Sequence, residues 1–184
     1  MDWFVGSSTA VGPIQKPILA NRLYLIPFNQ MRNAVLVKMG IDLRVKGGAG
    51  AKLRLGIYHN NASNDNYPTT LVVDAGQMDV SPAGVALGCN FLTLSPTIGL
   101  ASDVRYWAAL LTNNANVSIA GLPNQDMIFW GVVGTSKSHL KSLTYISLAQ
   151  TYGPLPNTAP LVDVGDLTFD SSAPAILLGF SDVT

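Results

Sequence analysis

The residues best equipped for chemistry in this chain are few and scattered. Its two histidines, His59 and His139, lie 80 positions apart, each in a polar stretch. Neither has a histidine, cysteine or carboxylate at zinc-ligand spacing, so no metal or other cofactor is expected. All eleven acidic residues are aspartates, and the densest group, Asp163-Val164-Gly165-Asp166, reads as a turn rather than an acid/base pair. Carboxylate pairs brought together from distant strands stay open at this level. Serines abound, but there is no Gly-x-Ser-x-Gly elbow to expose an activated nucleophile. The run Asn60-Asn61-Ala62-Ser63-Asn64-Asp65-Asn66 is rich in oxygen donors. One carboxylate among amides falls short of the roughly six to eight oxygens that calcium takes, so the run reads as a hydrated loop. Gly47-Gly48-Ala49-Gly50 lacks the Lys-Ser/Thr of a phosphate loop and reads as a hairpin turn. The single cysteine, Cys89, permits no intrachain disulfide. Lying in the apolar run Val85–Leu92, it reads as a small buried hydrophobe. These features predict a protein that is not an enzyme.

Composition sets the frame around them. The chain has 184 residues, enough for one domain with a sizeable core. Charged residues make up 12 %, against an ordinary share of about 25 %, and the net charge is zero. Zero net charge gives no basic field to attract nucleic acid. So little charge predicts that other protein covers much of the surface. No apolar run reaches the length of a membrane-spanning helix. The opening Met1-Asp2-Trp3-Phe4 has no basic start and no long apolar stretch, so no secretory leader is expected.

Frequent glycine and proline favour short strands joined by turns. From Val35 to Val45 the odd positions are apolar and the even ones mostly polar, which predicts a strand with one buried face. Ala51 to Tyr58 repeats the alternation, and the two are expected to pair as a hairpin across Gly47–Gly50. Further strands are expected at 71–74, 77–80, 85–94, 104–111, 117–120, 127–133, 142–149 and 175–180. The stretch from Thr135 to Tyr152 has helical spacing at Leu140, Leu143 and Ser147, but Thr144, Tyr145 and Ile146 favour a strand, which is the reading adopted. Many short strands predict an all-β fold: an antiparallel β-sandwich, jelly-roll-like, over residues 21–184. Residues 1–20 follow neither period and are expected to form an extended N-terminal arm. Its apolar residues, Trp3, Phe4, Val5, Ile14 and Ile18 among them, must either fold back on the domain or dock on a neighbouring chain.

Three stretches resemble a β-sandwich module of tailed-bacteriophage structural proteins, found in tail fibres and head decoration proteins. They are Val37–Val45; Leu53-Arg54-Leu55-Gly56-Ile57-Tyr58 running on to Asp74-Ala75-Gly76; and Val80–Val85 with Leu92–Pro96 and Arg105-Tyr106-Trp107. The closing strand Ala173–Leu178 also fits, and the likeness spans roughly residues 20–184. No fibrous repeat accompanies the module, which makes the chain look more like a capsid decoration or cement protein than a fibre. That resemblance implies a virion protein made in the bacterial host cytoplasm. It would contact the major capsid protein and other virion proteins, and it would commonly be a homotrimer. No nucleic-acid or membrane partner is implied. The arm would be the anchor. The competing reading is a receptor-binding module for host carbohydrate, with Tyr58, His59, Asn60, Asn61, Asn64, Asp65 and Tyr67 as its recognition loop.

Overall fold

Each strand with one apolar side must hide that side, and the chain does so by stacking two antiparallel sheets. The computed structural model describes residues 2–4, 14–61, 67–123, 145–160, 167–168 and 172–181, and no helix occurs among them. Strands are numbered in chain order. The first sheet runs β1 (Asp2–Phe4), β13 (Ile176–Ser181), β4 (Ala34–Val45), β9 (Ser118–Pro123), β12 (Ser172–Pro174). In addition, β2 (Ile14–Pro17) pairs with β9 and β7 (Gly88–Leu100) pairs with β4. The second sheet runs β11 (Leu167–Thr168), β10 (Tyr145–Ala149), β3 (Arg22–Gln30), β8 (Val104–Thr112), β5 (Lys52–Asn60), β6 (Pro68–Asp79). The all-β antiparallel sandwich expected from the sequence is the fold observed.

The main core lies between the sheets. Ile41 and Leu43 of β4, Leu53, Leu55 and Ile57 of β5, and Ala108 and Leu110 of β8 are completely buried there. A second cluster lies on the opposite face of the six-stranded sheet, built from Leu23, Leu25, Tyr58, Trp107, Ala109, Leu111, Ile146 and Leu148. Its cover is the segment 150–160, whose Leu155 and Ala159 belong to the cluster. Strand β8 therefore sends Tyr106, Ala108 and Leu110 to one core and Trp107, Ala109 and Leu111 to the other. A strand buried on both faces has no polar side to show, which is why this one reads as an unbroken apolar run.

Several expectations change. The segments 34–45 and 52–60 do not form a hairpin: β4 lies in the first sheet and β5 in the second. The glycine turn carries the chain across the sandwich instead, with Gly50 at φ 72° and the Gly47 amide donating to the Val80 carbonyl at 2.9 Å. Alternation tells which side chains point inward, and it is the same whether two strands lie side by side or face each other across a core. Within β4 the phase also slips. A bulge between Leu36 and Lys38 buries Leu36 completely and leaves Val35 41 % exposed. The two strands expected at 71–74 and 77–80 are one, β6, running through Gly76 at φ 92°. Strand β3 has no counterpart in the sequence reading, because it too is buried on both sides and lacks alternation. Cys89 is exposed on β7, not buried. The strand expected at 142–149 is present as β10 over 145–149, whereas that at 127–133 lies outside the described residues.

The N-terminal region folds back. Asp2–Phe4 pairs with β13, Ile14–Pro17 pairs with β9, and the Ile18 amide donates to the Val117 carbonyl at 2.9 Å. Ile18 is completely buried in the main core, so it is no anchor for a neighbouring chain. Ile14 is half-buried, and Val5 lies outside the described residues.

Gly56 explains how the cover seats so closely. A Cβ there would stand 2.3 Å from Leu155 Cδ1 and 2.6 Å from the Val73 carbonyl oxygen. The backbone neighbour cannot yield as a side-chain tip can. Gly56→Ala is expected to cost about 1–3 kcal/mol, read as a lower urea midpoint with an unchanged slope.

Candidate functional site

The polar loop proposed for recognition springs from the end of β5, where the strand runs out of core. Tyr58 is completely buried, and its hydroxyl donates to the Pro156 carbonyl at 2.9 Å. It belongs to the packing under the cover and is removed from the recognition set. Asn60 is also engaged inward: its Oδ1 accepts from Trp107 Nε1 at 2.9 Å. Trp107 buries its whole surface and still needs a partner for its one N–H, and Asn60 supplies it. Tyr67 is half-buried against the same cluster. The Asn61 amide donates to the Tyr67 carbonyl at 2.7 Å and so pins together the two ends of the loop. His59 and Asn61 are exposed, while Asn64 and Asp65 lie outside the described residues. Of the seven residues singled out, then, only His59 and Asn61 are shown facing solvent.

His59 stands at the head of an aromatic row that the sequence did not disclose. It pairs across the ladder with Tyr106, which pairs with Phe28. The ring centroids are 5.6 Å apart for His59 and Tyr106 and 5.8 Å apart for Tyr106 and Phe28. Tyr106 is buried and its hydroxyl accepts from the Ala101 amide at 3.0 Å. Phe28 remains half-exposed, so the row ends in solvent at both margins. Rings 78 residues or fewer apart in the chain meet only because β5, β8 and β3 are neighbours in one sheet.

The densest polar constellation is elsewhere, under the cover segment. Arg54 Nη1 donates to Asp74 Oδ2 at 2.5 Å. The same oxygen accepts from the Leu155 amide at 3.1 Å, and Asp74 Oδ1 accepts from the Gly76 amide at 2.9 Å. Tyr152 sits over the group, with its hydroxyl 3.3 Å from Gln77 Oε1 and its amide donating to Asn21 Oδ1 at 3.0 Å. Both oxygens of Asp74 are thus occupied by donors that hold structure in place. A carboxylate engaged in this way is a strut, not a free base. Arg54 and Asp74 are 20 residues apart in the chain, and only the register of β5 on β6, with Gly56 opposite Asp74, puts them on one face. Among the described residues no group of three or more His, Cys, Asp or Glu side chains is placed to hold a metal ion. The Asp163–Asp166 cluster and His139 lie outside the described residues.

Three phenols in this region and beside it resist ionisation. Burial, reinforced by the nearby Asp74 carboxylate, holds Tyr58 far above the ordinary value near 10. Burial also raises Tyr152, opposed by Arg54. Burial raises Tyr24, whose hydroxyl accepts from the Leu19 amide. Tyr24 and Tyr58 are buried packing sites and Tyr152 is half-buried, and none of the three is tuned toward neutral pH.

Compared with known proteins, the chain matches no family model, no curated protein and no solved structure.

Two expected outcomes follow from the cover and its ties. Asp74→Asn should lower stability by about 1.5–3 kcal/mol, because a charged acceptor is lost beneath partly buried donors. Faster amide exchange at Leu155 would show the cover loosening locally. The raised tyrosines set a sign for alkaline pH. Above about pH 10 the unfolded chain releases phenolic protons that the folded chain keeps, so folding stability falls as pH rises. Tyr58→Phe should cost about 1 kcal/mol at neutral pH through the orphaned Pro156 carbonyl. It should also flatten the alkaline loss, measured by urea unfolding at stepped pH.

Proposed function

We propose that this protein is a structural component of a bacteriophage particle, a capsid decoration or cement protein that stabilises the head by covering joints between capsid subunits. The single observation that carries this reading is a sandwich whose outer strand β7 and its approach carry no charge from Val80 to Ser102 and expose Pro82, Leu87, Cys89, Thr93 and Thr97 among others. Such a surface is inexpensive to desolvate against protein, since no ion loses its hydration. The resemblance of Leu53–Tyr58, Asp74–Gly76 and Arg105–Trp107 to the phage module points the same way. Stabilisation would come by mass action, because a subunit that binds only the assembled shell favours assembly. The docking surface in this proposal is the body of the sandwich, since the Ile18 end of the arm is spent on the protein's own core.

A second reading rests on the exposed margin of the aromatic row. His59 and Asn61 are exposed at the end of β5, Phe28 is half-exposed at the other end of the aromatic row, and aromatic edges beside amides suit carbohydrate. In that case the protein is the receptor-binding module of a fibre or spike.

Reconstruction of the whole phage particle separates the two. Density fitted by this sandwich on the outer surface of the head is the expected result. Density at the tail tip, joined by glycan-array binding that is lost in His59→Ala, would favour receptor recognition. Absence of the chain from purified particles by mass spectrometry would refute both.

A further inference from the structure

Segment 150–160 crosses the outer face of the second sheet, yet the chain on either side of it is held in one place. The chain leaves β10 at Ala149, opposite Arg22 of β3, and is again beside β10 at Leu167, opposite Ile146. Lifting the segment therefore breaks no rung of those ladders. At its near end the Gln150 amide donates to the Asn21 carbonyl and the Tyr152 amide to Asn21 Oδ1, both at 3.0 Å, with Asn21 itself at φ 55°. In the middle the Leu155 amide donates to Asp74, and the Pro156 carbonyl accepts from Tyr58. At the far end the Leu71 amide donates to the Asn157 carbonyl at 2.9 Å and the Ala159 amide to the Thr69 carbonyl at 2.6 Å. With the Thr70–Thr158 bridge, these bonds lay the segment along the margin of β6. Among the described residues, no backbone bond joins one residue of the segment to another. Of its eleven residues only Leu155 and Ala159 are buried.

We infer that 150–160 is a strap that lifts off as one body while both sheets stay folded. Two features make the opening collective. Pro154 and Pro156 flank Leu155 and fix their own φ, so Leu155 cannot leave the Gly56 notch without carrying its neighbours. A segment without internal backbone bonds also keeps its path only through its seat, so a tie lost at the centre weakens those at the ends. The prolines limit the freedom gained on release, which favours return to the seat. Two buried apolar side chains in eleven residues put the strap at the low-stability end of the structure. Opening uncovers Tyr58 and releases the Leu71 amide and the Thr69 carbonyl at the margin of β6. The seated strap is thus an edge guard as well as a cover, and the open form presents a free strand margin. The inference does not depend on where the protein acts.

The test is native-state hydrogen exchange of the full chain, read residue by residue by NMR. The amides of Gln150, Tyr152, Leu155, Ala159 and Leu71 should share one protection factor, lower than that of the β8 amides. Leu155→Ala should speed exchange at the other four by one common factor, roughly 30-fold or more. Ile41→Val acts in the main core, away from the strap, and is mild enough to fold. It should speed the β8 amides about 2- to 10-fold, through global unfolding, and leave the strap amides unchanged. Strap amides that speed up together with β8 in Ile41→Val would show that the strap leaves only when the whole protein unfolds. Unequal factors at the four amides in Leu155→Ala would show fraying tie by tie. Either result would overturn the inference.

Discussion

Because β8 contributes apolar side chains to both of its faces, the six-stranded sheet cannot leave either face to water. Most of the architecture answers that constraint. One face is met by the opposing sheet. The other is met by the non-repetitive segment 150–160, which has no ladder of its own to hold it and is tied down bond by bond. Tyr58, Asp74, Asn21, Thr69 and the Thr70–Thr158 bridge each fix one point along it. The prolines at 154, 156 and 160 suit such a path, since they remove backbone donors that would otherwise need partners.

The Arg54–Asp74 pair gains its sense from the same constraint. Side chains 16 % and 20 % exposed are largely withdrawn from water, and an ion pair there is worth keeping only if the remaining lone pairs are satisfied. Backbone amides of Leu155 and Gly76 satisfy those of Asp74, while Arg54 Nε is buried without a hydrogen-bond partner among the described residues. The polar group thus fixes the position of an apolar cover, and Gly56 provides the notch into which Leu155 settles. Specificity of seating is what this arrangement supplies.

Among the described residues, the β7 margin and the His59 end of the sandwich are two exposed regions, and Leu19 and Met31 are exposed as well. Both exposed regions are charge-poor, and both are formed by strands whose other sides are locked into sheets.

The sequence by itself determined the strand-rich class, most inward-facing residues of β4 and β5, and the glycine turn at 47–50. It could do so because period-two alternation and glycine or proline punctuation are local properties. Only the tertiary structure decided that β4 and β5 face each other instead of pairing, that Tyr58 lies inside, that Ile18 belongs to the core, and that Cys89 is exposed. It alone brought Arg54 to Asp74 and His59 to Tyr106 and Phe28. The physical reason is the same in each case: alternation fixes the direction of a side chain relative to its own strand, whereas its surroundings depend on which distant strand lies beside it and what crosses above.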